Sequence, residues 1–298
     1  MTRPRWRFPQ QKLIRHFPEI VEEHRLPESS STHQRGRIRV GAVAYLNARP
    51  LTFCLRERAP QAEIVVDLPS RLADGLASGR LDVALIPSIE YFRNPRYTIV
   101  SDACVACDGP VRSIKLYGRV PVERVRKLAL DEGSRTSAAM TRILLKERFN
   151  LQPELEQLPI GATLDDTAAD AVMLIGDRAM LPVEGPFEFV WDLGLEWSRW
   201  TGLPFVFAMW IARPGADRPW LDETFAAARD AGVECFEQIA RRESPVVGIS
   251  EDFCLSYLRD NLTFRLGPRQ RQGLARFFEL ARGLGLTTSG TIQQIDNP

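Results

Sequence analysis

Histidine is almost missing from this chain. Among 298 residues there are three, at positions 16, 24 and 33, and nothing after His33 supplies another. Chemistry in the body of the protein must therefore proceed without imidazole as a base, as a nucleophile's partner or as a metal ligand. Long apolar runs are missing too. No segment approaches the ~18 apolar residues of a membrane span. A secretory leader needs an apolar stretch of ~7–15 residues; near the start of this chain Phe8, Leu13, Ile14 and Phe17 are separated by polar residues or proline. These absences predict a cytoplasmic protein that does not enter a membrane. Excess charge is absent as well. The net charge is +1 with 26% charged residues, which excludes a highly charged disordered chain and a nucleic-acid binder that works by bulk charge. Neither a P-loop nor a GxGxxG fingerprint occurs, so phosphate nucleotides are not indicated.

Cysteine is present but unpaired in number. Five residues, at 54, 104, 107, 235 and 254, are spread along the chain, which argues against a disulfide framework. Cys104-Val-Ala-Cys107 has the spacing of a redox or zinc half-site. Zinc needs about four ligands, and no second CxxC or His pair follows. The pair is read as two small residues in a strand or turn, and no metal is expected.

The near-neutral total hides an uneven distribution. Residues 1–37 carry eight Arg or Lys against four Glu. Glu28–Arg37 has no apolar residue and reads as a linker. A basic, poorly ordered extension is therefore expected over 1–37. The remaining length suits two domains, or one domain in two lobes.

From Ile38 the pattern is α/β. Ile38–Val43, Ala62–Asp67 and the wholly apolar Asp82–Pro87 read as strands, the last covered on both faces. Leu68, Leu72 and Leu76 recur every four residues before Gly79 and predict a short helix. Val111–Tyr117, Leu128–Asp131, Asp170–Gly176, Phe187–Trp191 and Phe205–Ile211 read as further strands, and Ala138–Phe149 as a helix. Helices are predicted over Trp220–Arg242 and Pro268–Leu284, the latter from the stripe Leu274, Phe277, Phe278 and Ala281. Strand–helix–strand order implies parallel sheets. The expected division is a first lobe of 38–116 plus 212–298 and an inserted second lobe of 117–211, with a cleft between them. Ligands in such folds sit at the carboxyl ends of strands.

Those ends carry the candidate residues. Asn47 offers a donor and an acceptor without charge, or else caps the helix that begins near Pro50. Ser88 is a cap or a ligand contact, and Glu90 follows it. Glu132-Gly133-Ser134-Arg135-Thr136-Ser137 puts a glycine and hydroxyls at a helix start, where free N–H groups meet an anion or the serine simply caps. Arg112, Ser113, Lys115 and Tyr117 make a polar strand that either crosses the cleft or lies at a wet edge. Asp177, after Gly176, caps the next turn or touches the ligand. Trp197 and Trp200 either wall a pocket for a flat ring or pack between lobes.

Taken together, Val43-x-Tyr45-Leu-Asn47-Ala-x-Pro50-Leu, Asp82-Val-Ala-Leu-Ile-Pro-Ser88, Cys107-Asp-Gly-Pro-Val-x-Ser113, Asp131-x-x-Ser134-x-Thr-Ser137, Ile175-Gly-Asp177-x-Ala and Asp192-Leu-Gly-x-x-Trp197-x-x-x-Thr-Gly-Leu-Pro-Phe205-Val resemble the chorismate dehydratase family, which acts in the futalosine route to menaquinone. The likeness runs from about residue 38 to 285; residues 1–37 lie outside it. The resemblance implies a two-lobed fold like the type II periplasmic binding proteins. It implies loss of water from chorismate to give 3-[(1-carboxyvinyl)oxy]benzoate, a carbon–oxygen lyase reaction with no cofactor. Applied to that reaction, the reading of the residues puts Asn47 and Ser113 in catalysis, and Tyr45, Ser88, Ser134, Arg135, Thr136, Ser137, Gly176 and Asp177 around the substrate. For the ring proton three acceptors stand open: Glu90, Asp177, or the substrate's own enolpyruvyl carboxylate. The expected partner is a small acid, with no nucleic acid and no membrane; nothing in the sequence sets an oligomeric state. Two alternatives carry the same fold. One is a non-catalytic carboxylate-binding protein. The other is the related dihydroxynaphthoate synthase, whose chemistry is associated with a pocket histidine that this body lacks.

Overall fold

The computed structural model describes residues 37–287. The extension expected over 1–37 thus lies, except for Arg37, outside the described residues. Within them, eleven strands form two sheets. In chain order these are β1 (Ile38–Val43), β2 (Ala62–Asp67), β3 (Val83–Pro87), β4 (Thr98–Cys107), β5 (Ile114–Gly118), β6 (Lys127–Asp131), β7 (Glu154–Leu158), β8 (Ala171–Ile175), β9 (Phe189–Asp192), β10 (Phe205–Ala212) and β11 (Thr263–Arg265).

The first sheet has the order β11-β4-β10-β3-β1-β2 and the second β7-β6-β8-β5-β9. β1 runs parallel to β2 and β3, whereas β10 runs antiparallel to β3 and β4. In the second sheet β6 is parallel to β7 and β8, and β5 is antiparallel to β8 and β9. β3 and β8 are buried at every position, as their unbroken apolar sequences require of strands covered on both faces.

The chain leaves the first sheet after Cys107, enters the second at Ile114, and returns between Asp192 and Phe205. These crossings come earlier than the expected ones at 116/117 and 211/212. β10, assigned to the inserted lobe from the sequence, is a central strand of the first sheet, because its eight buried residues need β3 and β4 on either side. The polar stretch around Arg112 and Ser113 is the first crossing itself. Asp192 organises it: one carboxylate oxygen accepts from Val111 N at 2.9 Å, the other from Arg112 N at 2.6 Å. The first of these also caps helix Leu193–Thr201 through Leu195 N at 3.1 Å.

The helix expected over Trp220–Arg242 is two, Trp220–Val233 and Phe236–Val247. The break follows Gly232, where the backbone presses on Pro50: a Cβ there would lie 1.8 Å from the Pro50 carbonyl oxygen. Helix Pro268–Gly283 buries Leu274, Phe277, Phe278 and Ala281, the predicted stripe. Phe277 meets Trp197 and Phe205 at ring-centroid distances of 6.2 and 4.9 Å. Trp197 is fully buried there, and its Nε1 donates to Pro204 O at 3.2 Å. The tryptophan pair therefore packs the junction between lobes and does not wall the cavity. Cys104 and Cys107 lie buried in β4, and among the described residues no group of three or more His, Cys, Asp or Glu could hold a metal ion. No described helix is long and apolar enough to cross a membrane.

Candidate functional site

A cavity lies where the strand ends of the two sheets face each other. The first sheet and its loops supply Val43, Tyr45, Asn47, Pro69, Pro87, Val105, Phe207 and Ala208; the second supplies Ile114, Ser134, Ser137, Ile175 and Gly176. The lining is apolar with a few hydrogen-bonding groups. It contains no Asp, Glu, Lys or Arg, and its one titratable side chain is Tyr45. Burial, together with the charges of Asp131 and Asp177, pushes the Tyr45 phenol well above its usual range, so it stays protonated.

Each polar wall has a local cause. Ser134 takes the N-cap of helix Arg135–Phe149 with extended backbone; its Oγ accepts from Ser137 N at 3.3 Å and donates to Ser137 Oγ at 2.9 Å. The capping and cavity-lining roles are thus held by the same two serines, at the positive end of a fifteen-residue helix. Below them the buried Asp131 ties the second sheet's half of the wall together. Its carboxylate accepts from Gly133 N at 2.9 Å and Ile175 N at 3.2 Å, and pairs with Arg178. Gly176 follows with φ 74° and ψ −160°, a conformation essentially confined to glycine. The Tyr45 ring fills the space beside it: a Cβ at Gly176 would lie 2.7 Å from Tyr45 Cε1.

Asp177 stands behind this wall, not in it. It is 6% exposed, and its Oδ1 accepts from Leu46 N at 3.0 Å. This bond fastens the loop that carries Tyr45 and Asn47 to the opposite lobe. Burial raises the Asp177 carboxyl to about 6, against the partial opposition of the Leu46 hydrogen bond and Arg49. Ser113 is also just outside the lining, next to Ile114. It is 1% exposed and its Oγ accepts from Tyr257 Oη at 2.8 Å, which leaves its own hydroxyl proton to donate elsewhere.

Of the residues singled out in the sequence, Tyr45, Asn47, Ser134, Ser137 and Gly176 come together around the cavity. Ser113 and Asp177 lie immediately behind it. Ser88, Thr136, Arg135 and Glu90 do not line it; they join the two lobes. Ser88 Oγ donates to Val206 O at 2.8 Å and meets Thr136 Oγ1 at 3.4 Å, while Thr136 Oγ1 accepts from Ile89 N at 3.2 Å. Arg135 reaches Asp74 at 2.7 Å and Glu90 at 3.6 Å, and Glu90 is also paired with Arg93 at 2.8 Å. Glu90 thus faces two arginines and not the cavity. Sequence reasoning missed the apolar lining, Phe207 and Val105 above all. The strand of Phe207 reads as core, no strand was expected over Thr98–Cys107, which carries Val105, and alternation along a buried strand does not tell a cleft-facing position from a core one.

Comparison with known proteins completes the picture. A family model described as menaquinone biosynthesis matches residues 38–283. A chorismate dehydratase from Thermus thermophilus is 31% identical over 265 residues, covering 83% of this chain and 95% of that enzyme. Among solved structures, a protein from Archaeoglobus fulgidus superposes with a TM-score of 0.66 at 17% identity, over 85% of this chain and 100% of that one. The periplasmic aliphatic sulphonate binding protein of Escherichia coli does so with a TM-score of 0.55 at 16% identity, over 87% of this chain and 91% of that one. These structural likenesses establish the two-lobed periplasmic-binding-protein fold. With the family match running from β1 to the last helix, the chain belongs to the menaquinone-biosynthesis family.

Proposed function

We propose that this protein is a chorismate dehydratase, a carbon–oxygen lyase that removes water from chorismate to give 3-[(1-carboxyvinyl)oxy]benzoate. The observation that carries the reading is the composition of the cavity wall: hydrogen-bonding groups and a capped helix end, with no acidic side chain. Chorismate brings two carboxylates and a flat ring. The helix start at Ser134–Ser137 suits one carboxylate through N–H groups and the helix dipole. The rings of Tyr45 and Phe207 and the aliphatic lining suit the ring faces.

The reaction removes a ring proton and the ring hydroxyl, and the new ring is aromatic. Asn47 holds the ring and its departing hydroxyl from the cavity wall. Ser113, its oxygen already taken by Tyr257, donates a hydrogen bond toward the leaving oxygen, which departs with the ring proton as water. With Glu90 committed to Arg93 and Arg135, and Asp177 committed to Leu46 N, the proton goes to the substrate's own enolpyruvyl carboxylate. The enzyme then acts chiefly by holding one conformer, an effect that reaches ~7–11 kcal/mol in favourable cases.

The test is incubation of the protein with chorismate, with loss of one water followed by mass and product absorption in the ultraviolet. Accumulation of 3-[(1-carboxyvinyl)oxy]benzoate supports the reading. A folded protein that leaves chorismate unchanged and binds another small acid would instead be a binding protein.

A further inference from the structure

The cysteine spacing that draws the eye in the sequence is not where the structure brings two reactive sulfurs together. Cys104 and Cys107 are buried at successive turns of β4's pleat, and residues three apart on a strand face opposite sides of the sheet. Cys107 Sγ packs against Gly194, where an added Cβ would lie 2.7 Å from it. Burial pushes both thiols, and that of Cys254, well up. None of the three is placed for exchange with a solute.

Cys54 and Cys235 differ from these three in exposure. They are 181 positions apart and both partly exposed, and Cys235 is the neighbouring thiol of Cys54, whose own thiol is pushed up by burial and then by Cys235. The backbone explains the meeting. The short helix Arg49–Thr52 and helix Trp220–Val233 touch where Gly232 faces the Pro50 carbonyl oxygen, too closely for any side chain. Cys54 follows Pro50 by one helical turn, and Cys235 follows Gly232 by three residues, its N–H bonded to Gly232 O at 3.1 Å. Each then occupies the N-cap of the next helix, Leu55–Arg58 and Phe236–Val247, with no side-chain cap bond of its own. Two thiols are thus held side by side at the surface by a backbone contact that does not depend on them.

We propose that Cys54 and Cys235 form a thiol–disulfide exchange site that takes a small-molecule disulfide and closes to an intramolecular disulfide. Cys235 sulfur attacks the solute disulfide, forming a mixed disulfide and releasing one thiol. Cys54 sulfur then attacks the Cys235 sulfur, the new S–S bond forms, and the second thiol leaves with the proton from Cys54. The two cysteines are oxidised by two electrons and the solute disulfide is reduced to two thiols. The site stands independently of the dehydratase reading.

The experiment is treatment of the full-chain protein with oxidised glutathione, alkylation of remaining thiols in denaturant, and peptide mass mapping. The expected result is a linked pair of peptides containing Cys54 and Cys235, two hydrogens lighter than their sum, with Cys104, Cys107 and Cys254 alkylated. In Cys54→Ser the reaction should halt at a glutathione adduct on Cys235, with a thermal transition like that of the native protein. A Cys104–Cys107 link, or full alkylation of Cys54 and Cys235 after exposure, overturns the proposal. So does a Cys54→Ser protein that folds but forms no adduct.

Discussion

Replacing Asp177 by Asn tests the electrostatics of the interlobe wall in a way that stability alone can read. Burial holds the Asp177 carboxyl at about 6, against a usual 3.8. The folded protein therefore keeps a proton on this group over a range where the unfolded chain has lost it. The sign follows: the stabilising contribution is full below pH ~4, falls as pH rises, and is gone above ~6. Each pH unit between the two values is worth ~1.4 kcal/mol, so the carboxylate costs ~3 kcal/mol at pH 8. Asn keeps an oxygen for the Leu46 N–H and carries no charge to bury, although it loses the attraction of Arg49. The stability of Asp177→Asn minus that of the native protein should be near zero at pH 4 and grow to at most ~3 kcal/mol by pH 8. Urea unfolding of both proteins at half-unit steps between pH 4 and 8 measures this difference and cancels other titrating groups. Parallel curves, or a variant that loses stability relative to native as pH rises, would refute the assignment of a buried carboxyl whose charge is only partly compensated.

Other changes act on the site directly. Gly176→Ala meets both a left-handed φ and the Tyr45 ring 2.7 Å away; it should lose ~1–3 kcal/mol of stability and raise KM for chorismate, checked by thermal unfolding and steady-state kinetics. Asn47→Ala and Ser113→Ala should each cut kcat by ~10²-fold while the circular dichroism spectrum is unchanged, as expected when one preorganised hydrogen-bonding group is removed. Gly232→Ala places a methyl group 1.8 Å from Pro50 O; the backbone has no room to yield, and the thermal transition should drop by more than for Gly176→Ala.

The α/β layering was legible because β3 and β8 are uninterrupted apolar runs, β1 is broken only by Arg39, and helix Pro268–Gly283 carries a clean stripe. Five residues of the cavity wall were legible for a related reason: at the strand ends Tyr45, Asn47, Ser134, Ser137 and Gly176 interrupt patterns that are otherwise apolar. What was not legible depends on contacts distant in sequence. β10 reads equally well as a strand of either sheet, and only its pairing with β3 and β4 decides. Arg135 at a helix start resembles an anion ligand until Asp74 and Glu90 are found beside it. Asp177 reads as a cap or a base, and its actual partner, Leu46 N, lies 131 residues away. The helix break near Cys235 follows from Pro50 pressing on Gly232, which no local propensity encodes.

The central claim is that the cleft dehydrates chorismate by positioning it, with the substrate's own carboxylate taking the ring proton. The direct measurement is kcat of Asp177→Asn and of Glu90→Gln at pH 8, beside the affinity of each for chorismate. Positioning predicts that each variant retains kcat within ~10-fold of native. A fall of ~10²–10⁴-fold in either one, the range of a lost general base, with chorismate binding intact, would contradict it.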